Sequence, residues 1–469
     1  MIMFRELRCR LLTFAMLNKI HILSIGIIVL LFLVAAALQH YEFICSAGKY
    51  GLINAPQYRY YLQSTFIPTY YYLSTDANNH VLFMFNNWQS TSALAHHFVI
   101  TIWPNAGYGW ATNIFDESLY VYTSFPSIAF AIPYVISHYI LQLTSYQGFL
   151  VLWNLLLNLI SSVLIYFIVL EFLNYRTDKK HSKYILIIAL LTVIIYLFNA
   201  NILHHSSMVY WAHELLQPIY LISLLFIAKW KDNIKLPILF VSCLLMSLIT
   251  WTGYVVCFSI FLYYSTRYIV LKIKSRDVIS GPIRKIRYNA LVVVLAVISA
   301  ICFTCLHYYS VIGFNYFQQL WDRLQARKSP EIISDELKNR IFSVFSIDYG
   351  VWILLLLVLT IILIVLCIRY IGGRDKNTGV NSLIPLNIGL IVISIIPCIE
   401  TFLLLNHDIQ YGFGRMKWVV PICLIFVYIS YQILYKSKHP LIFITLLGFV
   451  VATCALIASI IYLQVFCGY

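Results

Sequence analysis

About a dozen apolar runs of roughly 20 residues each, separated by short polar joints, leave this chain few folds to choose from. They fall at 19–39, 125–144, 147–172, 184–200, 209–228, 236–251, 253–271, 288–310, 351–369, 382–405, 417–435 and 440–465. A bilayer offers its interior no water, so such segments satisfy their own backbone groups as helices. Only 11% of the 469 residues are charged, against roughly 25% in a soluble globular protein. The expected fold is all-α and integral to the membrane, with about 11–13 spans in one polytopic domain over 1–469. A water-soluble enzyme, a disordered chain and a disulfide scaffold are all excluded. The cysteines lie mostly inside apolar runs, and the lone CxxC of Cys302 and Cys305 suits packing better than zinc.

Lys and Arg number 32 and Asp and Glu 18, a net charge of +14. Nucleic acid is not the expected partner, because the basic residues gather in joints between runs, as cytoplasmic loops do. The joints at 175–183, 229–235, 272–287, 369–376 and 436–439 are of this kind. Alternation then puts 201–208, 311–350 and 406–416 outside. The basic N-terminus (Arg5, Arg8, Arg10, Lys19) precedes a run without a small-residue cleavage site, so the first run reads as a retained anchor with 40–124 outside. The count fails at one place. If both runs in 125–172 cross, the basic joint at 175–183 lies outside. Either a further segment in 80–103 enters the membrane, or one of those two runs does not cross.

The polar length is concentrated in 40–124 and, second, in 311–350. Loops this long are functional or separately folded. The first is dense in aromatic residues, including Tyr70, Tyr71, Tyr72, Trp88, Trp103 and Trp110, which suits either a membrane-interface belt or a sugar-binding cleft. In the second, Phe314, Phe317, Leu320, Trp321 and Leu324 repeat at helical spacing among polar residues. That is the pattern of an interfacial helix, or of a plain surface connector.

Acids are scarce, so each one near an apolar run needs a reason. Asp116 and Glu117 close the first long loop, where a carboxylate can act as general base on a hydroxyl, or can simply cap a solvated turn. Two acids alone make a weak divalent-cation site, and no cofactor is expected. Histidines occur as adjacent pairs, His96–His97 and His204–His205, with His213 and Glu214 just beyond the second. Neither pair has the i, i+4 partner of a helical zinc motif. His407 and Asp408 precede Arg415 and Lys417. These cations lie on the side where no positive charge is called for, and they suit a phosphate, a diphosphate or lipid headgroups. Glu400 stands inside an apolar run, a setting in which acids are paired or functional.

The layout resembles polytopic glycosyltransferases of the GT-C fold, such as protein O-mannosyltransferases and lipid A aminoarabinose transferases. The residues that carry the resemblance are Trp88 to Phe98, Asp116-Glu117, the stretch Tyr122-Thr123-Ser124-Phe125-Pro126, and His407-Asp408 with Tyr411 and Pro421. It is also similar to bacterial O-antigen-modifying glucosyltransferases, which act on lipopolysaccharide. The resemblance implies inverting sugar transfer from a polyprenyl-phosphate donor to a glycan acceptor, on the periplasmic face of a bacterial inner membrane. In that scheme Asp116, or failing it Glu117, is the base. Arg415, Lys417 and His407 bind the donor phosphate. Trp88, His96, His97, Tyr122, His204, His205 and Tyr411 contact substrate. Two other readings stay open. One is an O-antigen polymerase or ligase. The other is a transporter or flippase of lipid-linked sugars, with Glu400, Asn154 and Asn158 lining its path.

Overall fold

The computed structural model describes residues 19–39, 81, 84–86, 88–89, 98, 101–102, 112–116, 119–121, 127–144, 146–175, 181–208, 210–274, 281–327, 335–371, 384–405 and 413–467. At some of these, Asp116 and His205 among them, only the backbone is described. The helices are α1 (Lys19–Gln39), α2 (Ile128–Tyr134, continued by a π turn Val135–Ile140), α3 (Gln147–Phe172), α4 (Ser182–Leu197) and α5 (Ala200–Met208). There follow α6 (Ala212–Trp230), α7 (Leu236–Ile249), α8 (Trp251–Lys274), α9 (Gly281–Ile312) and α10 (Asn315–Arg327). The last are α11 (Asp335–Ile371), α12 (Ile384–Ile395), α13 (Ile399–Leu403), α14 (Val419–Lys436) and α15 (Pro440–Cys467). Every apolar run contains helix, but among the described residues seven helices are long and apolar enough to cross a membrane, fewer than the 11–13 expected. Ile128–Ile140, Ser182–Leu197, Leu236–Ile249 and Ile388–Leu403 are apolar but shorter. The fold is a polytopic, largely helical membrane architecture.

Burial sorts the helices. α4 is apolar on every side and lies at the centre, with Ile185, Ile188, Ala189 and Val193 all sealed. α11 is apolar too, yet Leu354, Leu357 and Ile361 are exposed while Trp352, Leu355 and Leu359 are covered. A broad exposed apolar face on a long helix is the signature of lipid contact.

Basic joints gather at one end of the bundle. His21 at the start of α1 lies 3.0 Å from the Tyr166 hydroxyl near the end of α3, and its ring meets that of Tyr175. His181, before α4, contacts Tyr435 at the end of α14. Lys436 Nζ is 3.0 Å from Cys367 Sγ in α11. The 3-10 turn Lys231–Asn233 holds α8 through the Arg267–Asp232 ion pair, and α9 through Asn289, which donates to the Asp232 carbonyl at 3.2 Å. At the far end of α1, the Gln39 amide donates to the Leu203 carbonyl in α5 at 2.8 Å.

This arrangement bears on the crossing count. Ile128–Ile140 is about 20 Å long, short of the roughly 30 Å of hydrocarbon. Its Ala129 carbonyl accepts from the Tyr210 hydroxyl at the α5–α6 joint, and His138 lies 3.0 Å from the Tyr146 hydroxyl just before α3. Both ends of this helix thus meet the end of the bundle where α3 begins, which supports a run at 125–144 that does not cross. α3 begins at the end where α1 finishes, and Tyr175 and His181, which flank the next joint, lie with the helix ends at the basic side.

A small antiparallel sheet, β1 (Thr101–Ile102), β2 (Thr112–Asp116) and β3 (Leu119–Val121), is the non-helical addition to the all-α expectation. Its order is β1-β3-β2, with Asp116 paired to Leu119.

Two features of the bundle give direct tests. Gly253 opens α8 against the last turns of α7, and a Cβ there would lie 1.8 Å from the Met246 carbonyl oxygen. Backbone cannot swing aside as a side chain can. Gly253→Ala is expected to cost about 2 kcal/mol or more, read as a lower melting temperature in detergent. An unchanged melting temperature would show that the two helices separate freely there.

The second is α10. Tyr316 stacks on Tyr308 and Gln319 is buried, while Phe314, Phe317, Trp321 and Leu324 are exposed along the other side. That apolar stripe continues the exposed face of α9 at Phe303 and Leu306. The helix expected from the spacing is present, with its apolar side outward, as lipid-interface helices are. In vesicles with brominated lipid, Trp321→Phe is expected to remove a quenched component of tryptophan fluorescence. Equal quenching of both proteins would place α10 away from lipid.

Candidate functional site

Charged and amide side chains converge where the helix ends meet opposite the basic joints. The chain leaves α4 at Asn199, whose Oδ1 accepts from the backbone N–H of Asn201 at 3.1 Å and Ile202 at 3.4 Å. This caps the first turn of α5, which asparagine does well because its short acceptor reaches the unsatisfied amides. Asn199 Nδ2 also donates to the Asp348 carbonyl at 3.0 Å, tying α5 to α11. Asn201 Nδ2 donates to Asp348 Oδ2 at 3.3 Å. Arg415 Nε donates to that same oxygen at 2.7 Å, and both side chains of the pair are fully buried. Tyr349, the next residue on α11, donates its hydroxyl to the Arg415 carbonyl. Arg415 is thus held by side chain and backbone. His204, on α5, is buried and faces the charge of Asp348.

A second ion pair lies close in sequence to the first. Pro397 cannot donate to a helix ladder, and α12 gives way there to the 3-10 turn Ile396–Cys398. The break restarts the chain as α13 with Glu400 in its first turn. Lys417 Nζ donates to Glu400 Oε2 at 3.1 Å, and the Thr252 hydroxyl at the head of α8 donates to Oε1 at 3.2 Å. Trp418 Nε1 donates to the neighbouring Thr401 hydroxyl at 3.1 Å and packs edge-on against Phe345 of α11. Arg415 and Lys417 share the 3-10 turn Phe413–Trp418 that leads into α14. One turn therefore carries two cations, and each is met by a carboxylate from a different helix. At the α5–α6 joint, burial pushes the Tyr210 phenol far above its usual range, so it acts as a hydrogen-bond donor, to the Ala129 carbonyl.

Several residues expected at the site are brought together here: His204, Arg415 and Lys417, with Glu400. Trp88 is buried to 1% and lies in a core aromatic cluster, stacked on Phe85 and edge-on to Tyr134 and Phe98. Asp116 ends β2, and His205 belongs to α5. Glu117, His96, His97, Tyr122, His407, Asp408 and Tyr411 lie outside the described residues. Asp348 and Asn199 were not anticipated. The signal for Asp348 was present, since it is an acid beside an apolar run in SIDYGVWILLLL. Among the described residues no group of three His, Cys, Asp or Glu side chains comes together as a metal site would need.

No family model, curated protein or solved structure matches the chain. The fold itself defines a multi-pass helical membrane protein with two buried ion pairs at one end.

Proposed function

We propose that this protein transfers a sugar from a polyprenyl-phosphate donor to a glycan acceptor at the external face of the membrane. The observation that carries this reading is the pair of cations, Arg415 and Lys417, fixed by Asp348 and Glu400 at the end opposite the basic joints. The positive-inside rule makes that end external. Cations preset in a dry environment stabilise a departing anion without reorganising as the reaction proceeds. In this scheme the acceptor oxygen attacks the anomeric carbon as its bond to the phosphate oxygen breaks. The hydroxyl proton passes to Asp116, with Glu117 as the alternative base. The polyprenyl phosphate leaves as an anion drawn to the turn that carries Arg415 and Lys417, whose cations reach it as the joint over the two ion pairs opens, with His407 on the same segment. His96, His97, Tyr122, His204, His205 and Tyr411 line the substrate path, whereas Trp88 is sealed in the aromatic core and does not contact substrate. The setting is a bacterial inner membrane.

The test is a reconstitution. Purified protein in vesicles is supplied with labelled polyprenyl-phosphate hexoses and a surface polysaccharide, and label in the polysaccharide is measured. Transfer supports the reading. Movement of label between leaflets without any transfer would instead favour a lipid-linked-sugar transporter. That second reading draws on the helix broken at Pro397 beside a buried acid, a device of transport proteins.

A further inference from the structure

α3 packs along both α4 and α6, and polar side chains are buried on all three helices there. Asn154, Asn158 and Ser161 follow each other one turn apart on α3, none more than 3% exposed. Glu214 and Gln217 are one turn apart at the start of α6, 3% and 5% exposed. Two phenols bracket them. The Tyr196 hydroxyl on α4 interacts with Ser161, Gln217 and Glu214. The Tyr210 hydroxyl interacts with Trp153 and Glu214. Glu214 therefore lies near the part of α3 that holds Trp153 and Ser161, and Asn154 and Asn158 are buried on that same stretch.

Within this seam Glu214 Oε1, Asn154 Oδ1, both amide atoms of Asn158, and Gln217 Nε2 have no hydrogen-bond partner. Among the described residues Glu214 makes no ion pair, unlike Asp348 and Glu400. Buried polar groups left unpaired are costly, and a carboxyl kept from water either stays protonated or takes a positive charge beside it. Amide oxygen and nitrogen exchange by rotation, so Asn158 and Gln217 each offer an oxygen in one orientation. Carboxylate and amide oxygens are the ligands hard cations take. A single positive charge balances one carboxylate, whereas a divalent ion would leave excess charge in a low-dielectric site.

We propose that the α3–α4–α6 seam binds a monovalent cation through the Glu214 carboxylate and the side-chain oxygens of Asn154 and Asn158, with Gln217 as a further ligand. The site is separate from the Asp348–Arg415 and Glu400–Lys417 pairs, and it stands whether or not the chain transfers sugar. The bound ion joins three helices and stiffens the bundle beside the α5–α6 joint.

The experiment is equilibrium retention of labelled Na+, and of Tl+ as a stand-in for K+, by the full chain in detergent at fixed ionic strength. Saturable retention of either ion is expected, with loss in Glu214→Gln and weakening in Asn158→Ala. Should Glu214→Gln fail to stay monodisperse, the wild-type titration and Asn158→Ala carry the test. Retention of neither ion by the wild type overturns the proposal, as does retention by both variants equal to that of the wild type.

Discussion

Replacing Asp348 by Asn is expected to destabilise the protein by about 3–5 kcal/mol, because it leaves the Arg415 guanidinium buried without its counter-charge. Both side chains of this pair are fully covered, and the Arg415 carbonyl is also held, by Tyr349. A surface pair would contribute little, since water and salt screen it. Here neither partner can reach water without opening the joint between α5, α11 and the turn before α14. Removing both charges behaves differently. Asp348→Leu combined with Arg415→Met leaves no uncompensated charge and is expected to recover most of the loss. The measurement is thermal unfolding in detergent of Asp348→Asn, of Asp348→Leu and Arg415→Met singly, and of these last two combined. If Asp348→Asn melts with the wild type, the pair is not what holds this end together.

The second large effect concerns activity. Under the transferase reading, Asp116→Asn is expected to reduce sugar transfer about a hundred- to ten-thousand-fold, the range a positioned general base supplies. Asparagine keeps the size of the side chain and removes its ability to take the proton. Asp116 ends β2 with its backbone paired to Leu119 and belongs to neither buried ion pair, so melting should stay near that of the wild type. Glu117→Gln separates the two carboxylates, because a small effect there leaves Asp116 as the base. Full transfer by Asp116→Asn would remove that residue from the role.

How much of this was legible in the sequence differs from element to element. α1, α3, α8, α9, α11, α14 and α15 could be read directly, because a run of about 20 apolar residues has one low-energy arrangement in a bilayer. α10 was legible from its apolar spacing. The run at 125–144 was misleading, since hydropathy measures how apolar a segment is and not how far its helix extends. It is helical over only Ile128–Ile140. The sheet at 101–121 went unseen because pairing of such short strands is set by partners and not by local pattern.

The site divides in the same way. The oddness of Arg415, Lys417 and Glu400 could be read from the sequence, because a charge in an apolar setting is conspicuous alone. Their partners could not. Arg415 is 67 positions from Asp348, and Lys417 is 17 from Glu400. Nothing in local sequence states which distant carboxylate a buried cation will meet. Glu214 shows the same limit from the other side, since only packing brings it beside Tyr196 and Tyr210, next to the stretch of α3 that carries Asn154 and Asn158. By itself the sequence determined that this is a multi-pass helical membrane protein, and which end of each span is basic, because water and lipid act on each segment separately. The tertiary structure alone decided which charges neutralise one another and which run stops short, because those outcomes depend on what each helix end packs against.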